Sequence, residues 1–244
     1  MTQKKNVHIG TSGWHYKHWK GTFYPADTKD KDQLSRYLEH FNTVEINNSF
    51  YRLPSPETFT LWRKSVPIDF LFVVKVSRFI THMKKLKDVA EALQLFLTNA
   101  SHLKEKLGPL LFQLPPGWKC NVERLSDFLN HLPKGYRYVF EFRNHTWYDE
   151  SVYELLKQHN CAFCIYELDH HLSPLKVTAD FVYVRLHGPE GKYQGSYTKR
   201  QLSTWAKRAK QWSDSGKEVF FYFDNDQEGY AGFNAETLLR YFTK

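Results

Sequence analysis

A chain of 244 residues, 41% hydrophobic and 17% aromatic, can bury a full core, and this composition excludes intrinsic disorder. No apolar run approaches the roughly 18 residues of a membrane span. The start MTQKKNVHIG passes from a polar lead straight into a strand pattern without a signal-like apolar region, so a cytoplasmic location and no membrane association are expected. Cys120, Cys161 and Cys164 then read as reduced thiols, and a formal charge of +8 attracts anions without establishing nucleic-acid binding.

Eight short apolar runs, centred on His8, Glu45, Phe72, Leu111, Phe140, Cys164, Val184 and Phe221, predict strands. Between them the spacing predicts helices over Asp32 to Phe41, Pro56 to Ser65, Leu86 to Leu107, Val122 to His131, Asp149 to His159, Lys199 to Trp212 and Asn234 to Phe242. Leu86 to Leu107 reads as one long helix, with Leu86, Val89, Leu93, Phe96, Leu97 and Leu103 on one face. HHLSPLKVTA, between the sixth and seventh strands, has room for at most a turn or short helix. The alternation argues for a single domain over residues 1–244 folded as a (β/α)8 TIM-type barrel, irregular between strands six and seven. An open doubly wound sheet with an extra strand is the alternative.

In such a fold the carboxyl ends of the strands carry the site, and polar side chains gather at these ends. The first contributes Ser12, Gly13 and Trp14; the second Glu45, Asn47 and Ser49, read as one parity of VEINNSFY; the third Lys75, followed by His82. The fourth contributes Gln113, the fifth Glu141 and Arg143 with Trp147 beyond, the seventh Arg185 and His187, and the eighth Asp224 and Asn225. In YVFEFRNHTW, Glu141 and Arg143 share one face and Tyr138, Phe140 and Phe142 the other, so charge closes an otherwise apolar strand. Charge in that position is costly unless it is paired or meets a ligand.

Glu45 and Glu141 against Lys75, Arg143 and Arg185 make the inward set lean positive, which favours an anionic group such as phosphate. Glu45 and Glu141 also suit a general acid/base pair, with His187 as a second proton carrier. The bland alternative is a structural ion-pair network in the same place. No cofactor is expected. A divalent ion on Glu45, Glu141, His187 and Asp224 is not favoured, because basic residues lie beside them and no H-E-x-x-H spacing occurs.

Cys161 and Cys164 form a lone C-A-F-C entering an apolar strand, which suits packing better than zinc. Gly188 to Gly195 lacks the ending of a P-loop and reads as a mobile loop or lid. Lys199, Arg200, Lys207 and Lys210 make one solvated basic helix face, and Met83 to Lys87 adds a second cluster.

HIGTSGW, VEINNSFYRLP, FVVKVSRFITH, LLFQLPP, EFRNHTW, YVRLHG and YFDNDQEGYAGFNAETLL together resemble the domain of unknown function 72, or YecE-like, family from about Val7 to Leu239. The resemblance implies a TIM-type barrel and puts Glu45, Asn47, Lys75, His82, Gln113, Glu141, Arg143, Trp147, Arg185, His187 and Gly188 at motif positions. It differs at Asp224, where the family commonly has Asn. It implies no particular reaction. The expectation from the residues is an enzyme with hydrolase-like carboxylate and histidine chemistry. Its substrate would be a small phosphorylated sugar, a nucleotide-like compound or a nucleic-acid end, with Trp14, Asn47, Lys75, His82, Gln113, Arg143, Trp147, Arg185, Asp224 and Asn225 binding it. The alternative is a noncatalytic protein that binds a nucleic acid or metabolite in the same pocket.

Overall fold

The computed structural model describes residues 6–243. Every predicted strand forms: β1 (Val7–Thr11), β2 (Thr43–Ile46), β3 (Leu71–Lys75), β4 (Leu107–Leu114), β5 (Tyr138–Phe142), β6 (Ala162–Leu168), β8 (Phe181–Leu186) and β9 (Glu218–Phe223). The short β7 (His171–Leu172) turns back antiparallel on β6 and occupies the connection expected to lack a full helix. Hydrogen-bonded order along the sheet is β1-β9-β8-β6-β5-β4-β3-β2, and a parallel bridge from Ser12 to Glu45 joins its two ends. Apart from β7, each strand neighbours the next in sequence without the mid-sheet reversal of a doubly wound fold. This is the (β/α)8 TIM-type topology.

The chain groups into two units, Met1–Glu45 with Ile165–Leu175 and Asp180–Lys244, and Ile46–Cys164 with Lys176–Ala179. In the first, β1 pairs with β9 from Val7↔Val219 to Thr11↔Phe223, and β8 with β9 from Phe181↔Glu218 to Leu186↔Phe223. Helix α7 (Lys199–Asp214) starts at a reciprocal capping box between Thr198 and Gln201. It buries Leu202, Trp205, Ala206 and Ala209 and turns its lysines outward.

In the second unit, β4 and β5 run in register from Leu110↔Tyr138 to Leu114↔Phe142, which sets Gln113 beside Glu141. Phe140 stacks on Phe112 at 5.1 Å, and Phe142 stacks on Trp147 at 4.9 Å. One face of β5 is thereby committed to aromatic packing, which sends Glu141 to the other.

Three predicted elements differ. The long helix is only α4 (Ala90–Ala100), because Lys85, Leu86 and Asp88 have positive φ before it and Lys104 breaks the chain after it at φ 50°. Leu86, Val89 and Leu103 are nonetheless buried, so their spacing reported burial rather than continuous helix. The second strand stops at Ile46, and Asn48–Tyr51 forms a helical turn, α2, in place of continued alternation. The last helix, α8 (Tyr230–Leu239), begins before Asn234.

Candidate functional site

The side chains at the strand ends form one cluster in each unit. In the first unit Glu45 is wholly buried and accepts hydrogen bonds from Ser12 Oγ at 2.6 Å, the Tyr183 hydroxyl at 2.6 Å, Arg185 Nε at 3.0 Å and Arg185 Nη2 at 2.7 Å. An ionised carboxylate has about four lone-pair sites, so these donors leave it little capacity to move a proton. Arg185, equally buried, also donates from Nη2 to Asp224 at 3.0 Å. Arg185, expected to contact substrate, has a guanidinium that holds two carboxylates and is closed to solvent.

His187 is buried beyond the end of β8. Arg185 Nη1, which can only donate, lies 3.4 Å from His187 Nε2, so in the neutral ring Nε2 accepts and the proton sits on Nδ1. Asp224 Oδ2 stands 3.0 Å from that Nδ1, an ion-pair approach with imperfect hydrogen-bond alignment. Tyr193, from the Gly188 to Gly195 loop, sets its ring edge-on to His187 at 5.5 Å. Tyr16 donates its hydroxyl to the Ser12 carbonyl; burial, then Asp224, Asp226 and Glu45, raise its pKa well above the usual tyrosine range. Burial and Asp224 likewise raise the pKa of Asp226. This cluster leans acidic, against the expected sign.

Asn225, expected to bind substrate, lies at the end of the glycine-rich loop. It is buried and donates from Nδ2 to the Gly195 carbonyl at 2.8 Å and to Asn234 at 2.9 Å, clamping the far end of the glycine-rich loop. Gly188 opens that loop at φ 108°, where a Cβ would fall 2.1 Å from the Gln194 carbonyl oxygen. The loop expected to be mobile is held at both ends. Trp14 is half-buried, with its carbonyl accepting from the Tyr24 hydroxyl.

In the second unit Glu141 is wholly buried, accepts from Arg143 Nε, and lies 3.8 Å from the Cys164 thiol. Lys75, at the end of β3, places Nζ 4.5 Å over the Phe50 ring, and His82 meets the same ring edge-on at 4.9 Å. Ser49 donates to the Lys75 carbonyl at 2.7 Å and so ties α2 to β3. Burial, then Lys75, Arg78 and Arg143, push the His82 pKa down to about 4 against an opposing pull from Glu141. This cluster leans positive.

Asn47, half-buried at the start of α2, has a buried Oδ1 with no hydrogen-bond partner among the described residues. Gln113 is half-buried beside Glu141. Trp147, expected to contact ligand, is buried, stacked on Phe142, and donates its indole N–H to the Trp118 carbonyl at 2.8 Å. Among the described residues no three His, Cys, Asp or Glu side chains are arranged to hold a metal ion.

Sequence reasoning passed over Tyr183 and Phe50. Tyr183 shares strand parity with Arg185, a signal that could have found it. Phe50 had none, because α2 interrupts the strand.

Comparison with known proteins agrees with the topology. Residues 8–244 match the family model described as "Protein of unknown function DUF72". The chain is 26% identical to the UPF0759 protein YunF of Bacillus subtilis, over 96% of this chain and 93% of that one. It is 30% identical to the UPF0759 protein YecE of Escherichia coli K12, over 61% of this chain and 52% of the relative. A crystal structure of a DUF72 family protein from Thermotoga maritima superposes with a TM-score of 0.86 at 31% identity, covering 96% of this chain and 98% of that one.

Proposed function

The chain belongs to the DUF72 family, and from the side chains it assembles we propose an acid/base enzyme that acts on a phosphate-bearing substrate at the carboxyl ends of its strands. The observation that carries this reading is the grouping of Lys75 and half-buried His82 on the Phe50 ring; burial, then Lys75, Arg78 and Arg143, lower the His82 pKa. Such a setting gains from an anion that accepts charge-assisted hydrogen bonds. In this reading Lys75 and Arg143 bind the phosphate, neutral His82 lines the site, and Asn47 Oδ1 takes a hydrogen bond from a substrate hydroxyl. Glu141, beside Arg143, is the acid/base group. A phosphate drawing on Arg143 would weaken its ion pair with Glu141 and favour proton transfer by that carboxylate.

Asp224 supports a proton-carrying role for His187 in its own cluster, since a carboxylate beside Nδ1 orients the ring and stabilises its charged form. Glu45 is reassigned to positioning Arg185. Hydrolysis is the simplest reaction for these groups, and the substrate class is a sugar phosphate, a nucleotide or a nucleic-acid end.

The competing reading is a binding protein in which Glu141 only orients Arg143, an arrangement its ion pair also supports. Glu141→Gln separates the two when phosphorylated compounds are screened for both binding and turnover. The enzyme reading expects turnover to fall by about 100-fold or more with ligand affinity kept. Unchanged turnover would remove Glu141 from the chemistry, and a ligand that binds without ever being converted would favour the binding protein.

A further inference from the structure

A second cationic pocket lies away from the strand carboxyl ends. It is a half-open depression of about 410 Å³ lined by Ser101, Lys104, Leu107, Gly108, Lys134, Gly135, Tyr136 and Arg137. Leu107 and Gly108 begin β4, and residues 134–137 lead into β5, so the pocket sits at the amino ends of these strands. At about 3.3 Å per residue, Gln113 is about 20 Å along β4 from Leu107.

Three basic side chains line the pocket, and no lining residue is a carboxylate. They come from two separate connections. Lys104 is held at φ 50° and ψ −124°, a strained conformation for a residue with a side chain. Gly135 turns the second connection at φ 92°, and a Cβ there would meet nothing within 4 Å, so conformation rather than crowding calls for glycine. Tyr136 adds a half-buried ring with a hydroxyl tip. The cavity falls in the size range of small-molecule sites and suits a ligand with both phosphate and ring.

We propose that this pocket binds a nucleotide, its phosphates held by Lys104, Lys134 and Arg137 and its ring lying against Tyr136. The site is separate from the cluster around Lys75 and does not depend on the function proposed for that cluster.

ADP is the probe, with binding measured calorimetrically at low salt against adenosine as the phosphate-free control. Wild type is expected to bind ADP and not adenosine. Lys104→Glu with Lys134→Glu should weaken ADP binding at least about tenfold. ADP should also shift the amide resonances of Gly108 and Gly135 in wild type, a readout that survives if the charge-reversed variant does not fold. Absence of ADP binding, equal binding by the charge-reversed variant, or unmoved amides would each overturn the assignment.

Discussion

Glu45 and Glu141 look interchangeable as letters and differ in their surroundings. Glu45 is saturated by Ser12, Tyr183 and Arg185, whereas Glu141 leans on Arg143. Removing one member of a buried ion pair strands the other charge at a cost of about 3–5 kcal/mol. Glu45→Ala should therefore lower unfolding free energy by about that amount in urea titration, and a loss below about 1 kcal/mol would deny the network its structural role. His82 makes a different kind of test. Its pKa is held near 4 in the fold, while an unfolded histidine titrates near about 6.5. Between those values the unfolded chain binds more protons, so this residue's contribution to stability is intact above the window and is lost as pH falls through it. His82→Asn should flatten that part of the stability profile relative to wild type. Nuclear magnetic resonance should find the ring still neutral at pH 5.5, and added inorganic phosphate should raise its pKa; an ordinary histidine titration would remove the cationic pocket.

At the scale of elements, the period of apolar residues located strands and helices well and misjudged their continuity. Leu86 and Leu103 keep the helical spacing because both are buried, yet the backbone reaches those positions through turns with positive φ at Leu86 and Lys104. VEINNSFY alternates as a strand should, but Asn47 and Asn48 divert the chain into α2, which brings Phe50 beneath Lys75. The start of α7 at Lys199 was readable, and a cap there pairs a side-chain oxygen with nearby backbone N–H groups. The α7 box is a case: Thr198 accepts from Gln201 N at 3.3 Å, and Gln201 Oε1 accepts from Thr198 N at 2.9 Å. Thr198→Ala should cost about 1 kcal/mol in chemical denaturation. A neutral effect would mean that water replaces the cap.

For the whole molecule, a single domain remains the reading of the sequence, although contacts divide the chain into two units. If it folds as one domain, far-ultraviolet circular dichroism and tryptophan fluorescence should report coincident urea transitions. Two separated transitions would mean that the units unfold independently. The sequence by itself determined the eight strands, the family and the strand-end positions of Glu45, Lys75, Glu141, Arg143, Arg185 and His187. The strands and strand ends follow from alternation and local chemistry, which act over a few residues, and the family from the resemblance of its motifs. Only the tertiary structure decided which charges meet: Arg185 with Glu45 and Asp224, and Lys75 with Phe50 near His82. It also decided that Trp147 and Asn225 serve packing and loop closure. Pairing and burial join residues as distant as Arg185 and Glu45, 140 positions apart, and no local pattern carries that information.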